Sequence, residues 1–176
     1  MAFARLFGHP PEKLAAAAVH RAAVAQARLV PFYAEHGVPD TLDGRFEMII
    51  LHSFLVLHRL RGIASAQKFG QALYDVLFAD MDRALREMGT GDLSVGKQVK
   101  RMAEGFAGRI KVYQDGLAGS GDLVDALRRN LYGTVTASDA DVQFMAAYVR
   151  RQEATLAGQD AAAIVAGTIA FAPLQN

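Results

Sequence analysis

Met48-Ile49-Ile50-Leu51-His52-Ser53-Phe54-Leu55-Val56-Leu57 is the longest strongly apolar run in the chain, and only His52 and Ser53 interrupt it. A membrane span needs about 20 apolar residues, so this run is too short to cross one. Upstream lie Asp40 and Thr41, either of which can cap a helix start. Downstream lie Arg59 and Arg61. The pattern predicts a helix from Asp40–Asp43 to about Arg61. Phe46, Met48, Ile49, Ile50, Leu51, Phe54, Leu55, Val56 and Leu57 leave it no polar face. Such a helix is buried on several sides, which places it at the centre of a bundle.

The flanking sequence agrees. Proline occurs at Pro10, Pro11, Pro31, Pro39 and Pro173, so the stretch between the last two is free to form long helices. A first helix is expected to open at Pro10-Pro11 and run through an Ala-rich stretch to about Val30, where Pro31 breaks it. A short piece from Phe32 to His36 ends at Gly37. Beyond the central helix, Phe69, Leu73, Val76, Leu77, Met81, Ala84, Leu85 and Met88 recur at helical steps up to Gly89. Val95, Val99, Met102, Phe106, Ile110, Tyr113 and Leu117 do the same from about Ser94. A short helix over Asp122–Leu131 and another opened by Ser138-x-x-Asp141, a helix-start box, complete the set. Gly167–Phe171 alternates weakly and can lie extended. Asp43-Gly44 and Asp115-Gly116 lack the flanking strands of a hairpin. The expected fold is all-α: one domain over 1–176, a bundle of about seven helices around the central one, with 1–10 loosely ordered.

The chain has 176 residues, 52% hydrophobic, with Lys+Arg 19 against Asp+Glu 18 and a net charge of +1. That composition describes a globular chain with no field that would steer it to nucleic acid. Zero Cys excludes disulfides, thiolate zinc and a cysteine nucleophile, and fits a reducing compartment. Met1–Pro11 is too short and too broken for a signal segment. A soluble, cytoplasmic protein is expected.

Motifs for chemistry are nearly absent. Gly91-Asp92-Leu93-Ser94-Val95-Gly96-Lys97-Gln98 matches a phosphate loop through Lys97, but Gln98 stands where a magnesium-binding hydroxyl is required and no strand precedes it. Here the bland reading is a turn in which Ser94 caps the next helix. Among His9, His20, His36, His52 and His58 no pair has metal-binding helical spacing, and no Glu has a His three residues later. Ala118-Gly119-Ser120-Gly121 is no nucleophile elbow. Asp80 continues an apolar stripe, so it is expected to be partly buried against Arg45, Arg59 or Arg109. His52 within the apolar helix reads as a buried, hydrogen-bonded histidine, with a ligand or pH switch as the alternative. Arg59, Arg61 and Lys68 form a basic patch, either a solvated face or a groove for acidic headgroups or a partner's acidic loop. Lys97, Lys100, Arg101, Arg109 and Lys111 follow on a later helix.

One combination carries more. Phe32-Tyr33, Val38-Pro39-Asp40-Thr41-Leu42-Asp43-Gly44-Arg45-Phe46-Glu47 and Leu51-His52 resemble the opening signature of the ubiquinol–cytochrome c chaperone family. Phe78-Ala79-Asp80-Met81-Asp82, Leu85-Arg86-Glu87-Met88-Gly89, Val95-Gly96-Lys97 with Lys100, and Tyr148-Val149-Arg150-Arg151-Gln152 extend the resemblance from about Ala15 to Thr155. It implies a non-enzymatic assembly factor without a cofactor. Its client would be newly made cytochrome b, or a similar membrane protein, during assembly of respiratory complex III. The meeting place would be the cytoplasmic face of the inner membrane, with peripheral contact. The lack of a transit peptide fits a short bacterial member. Mitochondrial members work with a small partner protein, of which this sequence carries no sign. Candidate partner-binding residues are Tyr33, Asp43, Arg45, His52, Arg59, Arg61, Lys68, Asp80 and Arg86. The alternative is an enzyme or ligand carrier with a polar pocket around His52, Arg45 and Asp80. An exposed apolar groove with a basic rim favours the chaperone; a closed pocket where those three converge favours the alternative.

Overall fold

The chain enters its first helix through two prolines. Pro10 precedes α1 (Pro11–Ala27) and Pro11 opens it, where a ring-fixed φ suits the first turn and no intrahelical hydrogen bond is lost. The computed structural model describes residues 10–174, the Leu93 side chain apart, so the expected loose order of 1–10 lies outside the described residues except at Pro10. The helix ends at Ala27 rather than at Val30. Val30 and Pro31 then open α2 (Val30–Ala34), so Pro31 starts a helix as well as interrupting one.

α3 (Leu42–Arg59) is the predicted central helix. Thr41, not Asp40, is its cap: Thr41 Oγ1 accepts from the Gly44 N–H at 3.2 Å. Gly44 is required by a close approach, since a Cβ there would lie 2.1 Å from the Pro39 carbonyl oxygen. The loop before α3 can fold against its first turn only because that position has no side chain. Every residue from Met48 to Val56 is buried.

A single 3-10 turn, Ala64–Ala66, leads into α4 (Gln67–Glu87), which buries Phe69, Leu73, Leu77, Met81 and Leu85. α5 (Asp92–Ala118) starts ahead of the expected Ser94. Gly91 is the residue before it, so Ser94 lies in the first turn and does not cap the helix. α6 (Leu123–Asn130) is capped by Asp122 and α7 (Asp139–Ala157) by Ser138, whose hydroxyl accepts from the Asp141 N–H. α8 (Ala161–Val165) was not anticipated, and it brings the count to eight α-helices among the described residues. No strand occurs among them.

α1 lies against α3 and α4, α3 packs on α7, α5 bridges α4 and α6, and α8 packs on α1. Two apolar clusters result. The larger joins α3 to α4, α5, α6 and α7; the smaller joins α1, α4 and α8 to Val56 and Leu60 at the end of α3. α3 serves both.

Candidate functional site

Leu42, Asp43, Phe46, Glu47 and Ile50 recur at three- and four-residue steps and so share one face of α3. Gln98, Arg101, Met102, Gly105 and Arg109 do the same on α5. With Leu85 of α4, Arg129 and Asn130 of α6 and Leu131 just beyond it they enclose an open cleft of about 680 Å³. Phe46, Ile50, Leu85 and Leu131 are buried and make its floor with the half-buried Met102, while Asp43, Arg101 and Arg129 are exposed at its rim.

A bidentate ion pair ties the two helices at this cleft. Arg109 Nε donates to Glu47 Oε2 at 2.7 Å, and Arg109 Nη2 donates to Glu47 Oε1. Burial pushes the Glu47 pKa above its ordinary value, outweighing the pull of Arg109. Burial also works against the Arg109 charge, but there the Glu47 carboxylate prevails and the pKa is raised. The difference follows exposure: the Glu47 side chain is 13% exposed and that of Arg109 25%. The buried Tyr113 hydroxyl on α5 has no hydrogen-bond partner, and burial first, Glu47 second, raise its pKa.

The sequence candidates do not gather at one place. Asp43 is on the cleft rim. Tyr33 is half-buried and donates to the Ala27 carbonyl at 2.8 Å, closing the end of α1. It shares a shallow pocket of about 410 Å³ with Arg28, Val30, Ala34, Asp40 and Arg45. Arg45 is exposed and donates to Asp40 at 2.6 Å. Arg86 bridges Asp82 and Asp92, clamping the end of α4 to the start of α5. Arg61 and Lys68 are exposed. Arg59 is only half-exposed: its Nε donates to Leu156 O at 2.9 Å and its Nη2 to Gln159 O at 2.7 Å. It therefore holds the end of α7 and is not a free member of the basic patch.

Asp80 is partly buried, as expected, but its partners are not Arg45, Arg59 or Arg109. α4 packs on α1, so Asp80 meets His20 of α1 at 3.1 Å and Arg83 of its own helix. Burial raises the Asp80 pKa, yet the hydrogen bonds from His20 and Arg83 outweigh it and the net shift is downward. The groove there, about 770 Å³ between α1 and α4, also carries Lys13, Arg21 and Arg28.

His52 is wholly buried. Its Nδ1–H donates to the Met48 carbonyl at 2.7 Å, and its Nε2 accepts from the Tyr148 hydroxyl at 2.7 Å. That hydroxyl accepts from Gln26 Nε2 at 3.0 Å. The histidine is satisfied on both nitrogens and reaches no surface. His52, Arg45 and Asp80 thus occupy the core, the α3 N-terminus and the α1–α4 groove, and no shared pocket joins them. Among the described residues no three His, Asp or Glu side chains gather closely enough to hold a metal ion. Gly91–Lys97 forms a helix start rather than a phosphate loop.

Sequence reasoning missed Glu47, Arg109 as its partner, and His20. The available signal for Glu47 was a carboxylate directly ahead of the apolar run, one turn after Asp43 and on the same face as Phe46 and Ile50.

A family model described as ubiquinol-cytochrome C chaperone matches residues 34–171. The chain is 25% identical over 167 residues to a Xenopus laevis protein named ubiquinol-cytochrome-c reductase complex assembly factor 1, covering 92% of this chain and 82% of that one. It is 23% identical over 142 residues to the Mus musculus protein of that name, covering 80% of this chain but 48% of the mouse protein, about half its length. The crystal structure of the Cbp3 homolog from Brucella abortus superposes with a TM-score of 0.82 at 34% identity, covering 93% of this chain and 92% of that one.

Proposed function

The chain belongs to the ubiquinol-cytochrome C chaperone family, and from that membership we propose that it is a non-enzymatic assembly factor for ubiquinol–cytochrome c reductase that holds newly made cytochrome b. The observation that carries the proposal to a surface is the cleft between α3 and α5. It presents Phe46, Ile50, Met102 and Leu131 beside Asp43, Arg101 and Arg129. A membrane protein caught before insertion offers the complementary chemistry: apolar segments with charged residues at their ends. No helix among the described residues is long and apolar enough to cross a membrane, and in the proposed role the client is met at the membrane surface. Arg61 and Lys68 supply cations for peripheral contact there.

The test is co-purification from solubilised membranes, with cytochrome b and assembled complex III as readouts. Cytochrome b is expected to be enriched with the intact chain. Met102→Asp puts a charge on the half-exposed cleft floor and should reduce capture while helical circular dichroism is retained. Full capture by a folded Met102→Asp chain removes the cleft from the mechanism. Normal complex III in cells lacking the protein removes the assembly role itself.

A further inference from the structure

The last described stretch, Thr168–Leu174, is held the way a bound peptide is held. The Thr168 N–H donates to Ala163 O at 2.9 Å. Beyond it, among the described residues, the tail makes no main-chain to main-chain hydrogen bond. Side-chain amides take that place. The Ala170 N–H donates to Gln159 Oε1 at 3.0 Å, and Gln159 Nε2 donates back to Ala170 O at 2.6 Å. The Ala172 N–H donates to Gln152 Oε1 at 2.8 Å, and Gln152 Nε2 donates back to Ala172 O at 2.8 Å. Gln26 Nε2 of α1 adds a third bond to Ala172 O at 3.1 Å. Gln152 on α7 and Gln159 in the turn after it therefore stand in for a neighbouring strand.

Phe171, between the two pinned residues, packs edge-on to His52, with ring centroids 5.3 Å apart. Ile169 and Phe171 contact both apolar clusters. The groove wall is fully buried at His52, Tyr148, Val149 and Gln152, whereas no residue from Thr168 to Leu174 is. Gly167, at φ +100°, joins this tail to α8.

A carboxamide that pairs with both the N–H and the C=O of one residue reads backbone and ignores the side chain. A groove built from such pairs accepts an extended segment of nearly any sequence, with selectivity left to the apolar pocket between them. We propose that the groove of α1, α3 and α7 is a peptide-binding groove that the chain fills with its own residues 168–174. An extended apolar segment of the client, with a large side chain at the Phe171 position, replaces that tail during capture. The identity of this occupant rests on the assembly-factor reading; the groove does not. A tethered tail acts at an effective concentration in the millimolar range, which keeps the apolar groove covered until a client is present.

The probe is a fluorescent peptide of residues 167–174, Gly-Thr-Ile-Ala-Phe-Ala-Pro-Leu, read by anisotropy against the full chain. Wild type should bind it weakly, because the tail competes. Phe171→Ala in the chain loosens the tail and should tighten peptide binding roughly tenfold. Adding Gln152→Leu and Gln159→Leu should abolish that gain in a chain still helical by circular dichroism. No gain with Phe171→Ala, or a gain indifferent to the glutamines, overturns the proposal. Hydrogen exchange on the wild-type chain gives a second check that needs no variant. The Ala170 and Ala172 amides should exchange far faster than the Val149 amide of α7; exchange only at the rate of global unfolding overturns displacement. Excess peptide should also release co-purified cytochrome b. If cytochrome b stays bound while the peptide occupies the groove, client exchange is overturned. If cytochrome b never co-purifies, the assembly-factor reading and its client fail, and the peptide result alone decides the groove.

Discussion

The Met48 carbonyl, which can only accept, fixes the tautomer of His52, and burial of the ring gives the fold a pH dependence. Burial lowers the His52 pKa from 6.5 to about 4, against a smaller upward effect from the bond to Met48. Between those values the unfolded chain binds a proton that the folded chain does not, so stability falls as pH drops through that window. At 1.36 kcal/mol per unit the full loss is about 3 kcal/mol. Glu47 acts in the opposite sense just above its ordinary pKa, so a variant is needed to isolate the histidine. His52→Phe should flatten the change in urea midpoint between pH 7 and pH 5, and an unchanged slope would place its origin elsewhere. Arg59 and Arg61 separate in the same way. Arg59→Glu removes two charge-assisted bonds to carbonyls at the end of α7 and should cost about 1.5–3 kcal/mol in thermal unfolding. Arg61→Glu, at an exposed position, should stay within about 0.5 kcal/mol. Only Arg61→Glu then tests the patch as a client contact: capture should weaken, with the loss shrinking as salt rises. Sequence spacing placed both arginines in one patch because the carbonyl that holds Arg59 is 97 residues away. His52 was legible as a buried residue from its apolar neighbours, but Tyr148, 96 residues on, was not.

α3 was the most legible element because it is apolar on every side, a pattern that permits only a central position. Leu51 and Leu55 are 0% and 1% exposed, and Leu51→Ala or Leu55→Ala should each cost about 2–5 kcal/mol, read from denaturant midpoints. Near-wild-type midpoints for both would contradict the packing. The errors lie at element ends and in short elements, each for a local reason. Gly91 precedes α5 without a side chain that could announce a cap. Ala161–Ala163 gives α8 no apolar period to detect. Pro31 can end one helix or open the next, and the sequence alone does not choose. Of the cleft's α3 side the sequence singled out Asp43 but gave Glu47 no role, and its α5 side depends on a helix pairing that no local pattern encodes.

Because α3 contributes to both apolar clusters, and Ile169 and Phe171 touch both, the molecule should unfold as one unit. Helical circular dichroism and tyrosine fluorescence should share a single urea midpoint; two separated midpoints would mean that the α1–α4–α8 cluster melts independently. The same connectivity bears on biogenesis. Gln26 reaches Ala172 across 146 residues, so during synthesis α1 stays unlatched until nearly the whole described chain has left the ribosome. The nascent chain is therefore an unfinished structure while the 146 residues from one partner to the other are made. The latch closes only once residue 172 has emerged, and any function that depends on it begins after that point.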